Sequence, residues 1–143
     1  MSPPESEVRG FKVILVTVGL VYALMASSAL VRGVGMLRDF AVPEAMIASP
    51  VLGDFFSFFY EYMVFVGLLM VLFGLVTRGR RAQRLVAGVF CASSLLFAAR
   101  ELSTSDSRFG NHLFRGEATL VFVGIDLCLA LAFGALLVSR RSR

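Results

Sequence analysis

The sequence predicts an all-α integral membrane protein, a four-helix bundle whose chain crosses the bilayer four times. The 143 residues are 57% hydrophobic, and their mean hydropathy is +0.81. Four spans rich in Leu, Val, Ala, Phe and Gly are predicted at approximately residues 11–31, 55–76, 84–103 and 118–138, and the apolar run of the third covers only Leu85–Ala99. A bilayer core about 30 Å thick requires roughly 20 such residues per helix. Only short loops and tails remain, so we predict one transmembrane domain over residues 1–143.

The first run is expected to be a span and not a cleaved signal peptide. It continues through Leu30 and Val31, and the tail before it carries Glu5 and Glu7. A signal peptide instead has a positively charged tail and a shorter apolar core.

The next two spans are predicted from their flanking segments. The longest loop, residues 32–54, is interrupted by Pro43, Pro50 and Gly53, and residues 45–48 are expected to form one helical turn at the membrane surface. The third apolar run is short, so Arg100 and Glu101 are expected to be drawn into the membrane to complete it. The short loop 77–84 makes the second and third spans antiparallel neighbours.

Small residues spaced four apart mark the helix faces that pack together, because backbones in lipid approach closely there. Gly19 and Ala23 fit this pattern in the first span. In the fourth span, Val123, Asp126 and Ala130 fall on one side. We expect that side to face the bundle interior.

A short motif recurs along the chain. Val64-Phe65-Val66-Gly67 in the second span matches Val121-Phe122-Val123-Gly124 in the fourth. Two parallel helical hairpin repeats, related by an axis along the membrane normal, would produce such a recurrence. Chance would also produce it, because apolar spans share a small alphabet.

The distribution of basic residues predicts the orientation in the membrane. Nine lie in the two tails and the second loop, namely Arg9, Lys12, Arg78, Arg80, Arg81, Arg84, Arg140, Arg141 and Arg143. Five lie in the first and third loops, namely Arg32, Arg38, Arg100, Arg108 and Arg115. The positive-inside rule then predicts that both termini lie in the cytoplasm. The expected location of the protein is the inner membrane of the cell. The net charge of +4 reflects this topology and predicts no nucleic-acid partner.

Two carboxylates lie inside predicted spans, Glu61 and Asp126. A charged side chain at that depth costs about 2.5–3.5 kcal/mol on insertion scales, so it normally faces the protein interior and has a partner. Both acids are expected about 10–12 Å below the outer surface, at one level.

We therefore predict a polar cluster in the outer half of the bundle. Its expected members are Glu61, Asp126, Arg100, Arg32, Glu101, His112, Tyr60 and Tyr62. Such a cluster either fixes helix register through mutual pairing, or forms a ligand-binding or proton-handling site. A third alternative is that the charges reach the interface separately. The aromatic start of the second span is either an interfacial anchor or the wall of a lipophilic site.

No motif in the chain predicts catalysis, a metal site or a bound cofactor. Cys91 and Cys128 are isolated, which favours packing roles over redox chemistry. One histidine cannot provide two axial haem ligands, and no phosphate loop or nucleophile motif is present. A role without chemistry of its own is favoured over an enzymatic one.

The second span resembles one helix of the DoxX-like family of small four-span membrane proteins. The similar residues are Glu61 and the segment from Gly67 to Arg78, which ends Gly-Leu-Val-Thr-Arg. The whole match, from Glu61 to Arg78, covers about 20 residues. Glu61 lies further upstream than the family's acid, and the signature of the family's first helix is not evident. The resemblance implies a subunit associated with membrane oxidoreductases or quinone chemistry.

Three functional classes remain open. The first is a non-catalytic accessory or scaffold subunit of a membrane complex, and the second binds or transports a proton, cation or lipophilic ligand through the polar cluster. The third is a quinone-linked oxidoreductase subunit. The expected partners are the lipid bilayer and either further copies of the chain or another membrane subunit.

Overall fold

The computed structural model describes residues 7–40, 42–104 and 117–139 of the chain. It is 89% helical, with no strand among these residues. The helices are α1 (Phe11–Arg32), α2 (Glu44–Ile47), α3 (Pro50–Val76), α4 (Arg80–Thr104) and α5 (Glu117–Val138), and a 3₁₀ helix at Val34–Phe40 follows α1. This architecture confirms the predicted fold class of four long apolar helices.

Each of the four long helices is long enough to cross a membrane. Their lengths are 22, 27, 25 and 22 residues, or about 33–40 Å at 1.5 Å per residue. The mean hydropathy of their most apolar segments is between 1.6 and 2.5. Many of their Leu, Val and Phe side chains are exposed, as expected where lipid is the solvent. The chain is therefore a multi-pass membrane protein.

The helices extend past the predicted apolar runs. α3 begins at Pro50, five residues before the run at 55–76. Proline is favoured in the first helical turn, where its missing N–H has no acceptor in any case. α4 continues through Arg100 and Glu101, as expected for a helix that completes a short apolar run.

The chain divides into two compact units, Leu15–Leu72 and Met1–Ile14 with Phe73–Arg143. In the first unit, α1 and α3 meet at glycines. A Cβ atom built on Gly19 would stand 2.5 Å from the carbonyl oxygen of Gly67, and one built on Gly67 would stand 2.7 Å from the backbone nitrogen of Ala23. The backbones touch directly, which only glycine permits. The small-residue pattern at Gly19 and Ala23 is thus confirmed as a packing face.

The segment between α1 and α3 is held by local ion pairs. Gly33 ends α1 with a φ of +66°, a conformation that glycine adopts without strain. The 3₁₀ helix then turns the chain, and Arg32 binds Asp39 at 2.5 Å. Arg38 binds Glu44 of α2 at 2.5 Å, and this hydrogen bond lowers the pKa of the Glu44 carboxyl and raises the pKa of Arg38. The predicted helical turn at residues 45–48 corresponds to α2.

Gly67→Ala is expected to lower the stability of the protein by about 1–3 kcal/mol, because its new methyl group would press against the backbone of α1. Gly124→Ala in α5 is the control, since a Cβ atom there meets nothing within 4 Å. Thermal unfolding in detergent, followed by circular dichroism, measures both. Equal melting temperatures for the two variants would contradict the close α1–α3 contact.

Candidate functional site

The second unit contains an intramembrane carboxylate on the packed face between α4 and α5. The buried residues follow a spacing of three and four along each helix, which is the pattern of a helix face that packs against a partner. On α4 they are Gln83, Ala87, Ser94 and Ala98, and on α5 they are Val123, Asp126, Ala130, Phe133 and Leu136. The predicted inward face of the fourth span is confirmed by this burial.

Three contacts fix the antiparallel register of α4 and α5. The Cys91 thiol donates a hydrogen bond to the carbonyl oxygen of Ala130 at 3.4 Å. The rings of Phe90 and Phe133 stack with their centroids 5.4 Å apart. A Cβ atom on Gly134 would lie 3.7 Å from the Cys91 sulfur, an ordinary packing distance. One helical turn further along this register, Ser94 of α4 and Asp126 of α5 reach the same level.

Asp126 is the most buried acid among the described residues, with 8% of its surface exposed. It lies about 13 Å from the start of α5 and about 18 Å from its end, near the middle of the helix. Glu101 of α4 lies seven residues beyond Ser94, or about 10 Å along the helix axis. No hydrogen bond from a described residue reaches the Asp126 carboxylate. The site therefore places one buried carboxylate near the middle of a membrane-spanning helix, with a hydroxyl group on the same packed face.

The side chain of Arg100 is exposed on α4, and the ion pairs given for the described residues are Arg32–Asp39, Arg38–Glu44 and Arg78–Glu7. Successive residues of a helix point about 100° apart, so Arg100 and Glu101 point in different directions. The expected pairing of Arg100 with Asp126 stays a prediction.

Arg32 differs from the expectation. Its guanidinium binds Asp39, seven residues further along the chain, and both side chains are exposed. The reason is local, because the turn at Gly33 returns an acid to the end of α1. Sequence reasoning had no means of preferring this neighbour over the intramembrane acids.

The other predicted members lie elsewhere. Glu61 and Tyr62 are exposed on α3 in the first unit. Tyr60 is half-buried, with its ring centroid 4.5 Å from that of Phe56 and 5.2 Å from that of Phe59. His112 lies outside the described residues. Whether Glu61 and Asp126 share a site stays a prediction.

Sequence reasoning missed a second polar assembly, at the end of the second unit where α4 begins. Gln83 is 3% exposed and binds two backbone groups at once. Its Oε1 atom accepts a hydrogen bond from the Val8 N–H at 2.7 Å, and its Nε2 atom donates one to the Thr77 carbonyl at 3.1 Å. One side chain thus ties the segment before α1 to the loop between α3 and α4. Gln83 lies in the basic segment before the third apolar run, where the sequence gives no signal that its side chain is buried.

The arginines beside Gln83 bind the end of α5. The Nη2 atoms of Arg80 and Arg84 donate hydrogen bonds to the Ser139 carbonyl oxygen at 3.2 and 3.4 Å. Carbonyl groups at a helix C-terminus lack helical partners and carry partial negative charge, so they favour such cations. We call Arg80, Arg84 and the Ser139 carbonyl the arginine clamp.

No three His, Cys, Asp or Glu side chains come close enough to hold a metal ion in the described parts of the chain. Cys91 and Cys128 are free thiols, half-buried and exposed respectively. Comparison with known protein families, with curated proteins and with solved structures gives no match. The resemblance of the second span to DoxX-like proteins therefore stays a prediction.

Gln83→Leu is expected to lower stability by about 1–3 kcal/mol, because it leaves the buried Val8 N–H without its acceptor. Trypsin should also cleave after Arg9 faster than in the wild type, since the segment before α1 is released. Arg81→Gln, a change at an exposed position two residues away, is the control. A cleavage rate equal to that of the wild type would contradict the role of Gln83.

Proposed function

We propose that this chain is a non-catalytic accessory or scaffold subunit of an inner-membrane complex. The observation that carries the proposal is the exposed carboxylate of Glu61 on α3. The distribution of basic residues supports an orientation with both termini in the cytoplasm.

Glu61 lies at a depth where exposure to lipid is unfavourable. It is about 16 Å from the start of α3 and about 22 Å from its end. No charged residue occurs between it and Arg78. A span of about 20 residues that ends at Val76 therefore includes Glu61 in the hydrocarbon core.

No group of the described chain compensates this carboxylate. None of the hydrogen bonds or ion pairs among the described residues involves Glu61. Its neighbours one and two turns away on the same helix face, Phe58, Phe65 and Leu68, are exposed apolar side chains. A face of this kind, with one polar group among large apolar side chains, is typical of a helix that packs against another membrane helix. A further copy of the chain or a partner subunit would supply the hydrogen-bond donor and exclude lipid.

Glu61→Leu is expected to dissociate the complex, because it removes the polar contact that the partner satisfies. Glu61→Gln keeps a hydrogen-bonding group of the same size and should retain most of the assembly. The mass of the particle extracted in mild detergent, measured by light scattering, reports on both. Asp54→Asn, an exposed acid near the start of α3, is the control.

Two results would contradict the scaffold proposal. One is a wild-type particle that contains a single copy of the chain and nothing else. The other is an assembly that Glu61→Leu leaves intact.

A second candidate function is favoured by a separate observation, the burial of the Asp126 carboxylate near the middle of α5, on the face packed against α4. An ionisable group at membrane depth is typical of sites that bind or transfer a proton or a cation. Under this alternative the chain binds or moves a proton or cation.

Asp126→Asn is expected to abolish proton flux under this second alternative, because it removes the buried acid while preserving its shape. Flux would be measured with a pH-sensitive dye inside proteoliposomes. Glu61→Gln makes the same change of charge at an exposed intramembrane acid and should leave the flux unchanged. Wild-type flux equal to that of protein-free liposomes would exclude the alternative.

A further inference from the structure

The arginine clamp carries more positive charge than its own contacts neutralise. Arg80 and Arg84 both donate to one neutral carbonyl, that of Ser139. A guanidinium has five N–H donors, so most of those in the pair remain available. The Nε atoms of both arginines are buried and have no acceptor among the described residues.

The acids of the described chain do not compensate this charge. The carboxylate of Glu7, on the segment before α1, is bound to Arg78 at 3.3 Å. None of the ion pairs among the described residues includes Arg80 or Arg84. The two guanidinium groups converge on one oxygen, and none of the acids in the described parts of the chain forms an ion pair with them.

The surroundings of the clamp add to its positive potential. Arg81 and Arg9 are exposed, and the Val8–Gln83 hydrogen bond keeps Arg9 at this end of the unit. The helix α4 begins at Arg80, and its N-terminus contributes a partial positive charge. An anion that approaches this end meets attraction from several sources.

The position of the clamp along α4 indicates the source of the anion. The candidate membrane span in α4, Arg80–Ser103, has 24 residues. Its length of about 36 Å exceeds the thickness of a hydrocarbon core, about 30 Å. Its first turn therefore lies at the level of the lipid headgroups. Phosphate oxygens at that level suit the planar donor fork of arginine, and anionic lipids attract basic residues beside membrane spans.

We propose that Arg80 and Arg84 bind the phosphate of an anionic phospholipid in the leaflet that borders this end of the protein. The lipid phosphate completes the clamp, because its oxygens accept from the guanidinium groups that Ser139 leaves unsaturated. This binding is independent of the assembly proposed for Glu61.

The test is native mass spectrometry of the protein released from nanodiscs that contain equal amounts of phosphatidylglycerol and phosphatidylcholine. The wild type should retain phosphatidylglycerol preferentially. Arg80→Gln and Arg84→Gln should each lower that retention about fivefold, the effect of one arginine near a membrane surface. Arg81→Gln removes the same charge from an exposed neighbour that does not bind the Ser139 carbonyl, and it should lower retention less than either clamp variant.

Three outcomes would overturn the proposal. They are equal retention of the two lipids by the wild type, an equal loss in Arg81→Gln and Arg84→Gln, and displacement of the lipid by excess inorganic phosphate. The second outcome would indicate a diffuse field, and the third a soluble anion as the ligand. If Arg84→Gln lowers the helical content of the protein, lipid retention is measured with Arg84→Lys instead. It keeps the charge without the planar fork, and unchanged phosphatidylglycerol retention would contradict the clamp.

Discussion

The hydrocarbon core of the bilayer offers no hydrogen bonds, and the rest of this structure depends on that constraint. Backbone N–H and C=O groups must be satisfied within the chain, which requires long uninterrupted helices. Apolar side chains gain nothing by avoiding lipid, so residues such as Leu24 and Leu131 remain exposed. Association of α1 with α3 then relies on close backbone contact, for which Gly19 and Gly67 leave the necessary space.

The same constraint separates the polar groups into two kinds. Those at the helix ends bind backbone or nearby charges, as Gln83 does with Val8 and Arg32 does with Asp39. Those within the spans require a partner that the surrounding solvent cannot provide. Asp126 is buried between α4 and α5, whereas Glu61 is exposed on α3. One acid therefore points to a site inside a hairpin, and the other to a contact with another polypeptide.

The arginine clamp and the exposed side of α3 around Glu61 lie in different surroundings. Arg80 and Arg84 lie at a helix end, where the neighbour is a headgroup layer rich in phosphate. In the assembly that we propose, the neighbour of Glu61 within the hydrocarbon is a protein helix with a hydrogen-bond donor. A small membrane subunit with both features would hold a defined position with respect to its partner and to the membrane surface.

Much of the fold could be predicted because the composition of each segment and the spacing of its apolar residues determine its local structure. The four spans follow from apolar run length, and the inward direction of Asp126 follows from the small residues one turn away at Val123 and Ala130. The arginine partners of the predicted cluster could not be chosen in this way. Asp39 reaches Arg32 only because Gly33 adopts a positive φ, and Gln83 reaches Val8 across 75 residues of sequence.

The sequence by itself determined that the chain is helical, that it crosses a membrane four times and which apolar segments do so. These properties depend on the transfer of each segment from water to lipid, which is nearly independent of its neighbours. Tertiary structure alone decided which polar groups meet, including Gln83 with Val8 and the two arginines with Ser139. Those contacts depend on the rotation and register of packed helices, which shape complementarity fixes and hydropathy does not.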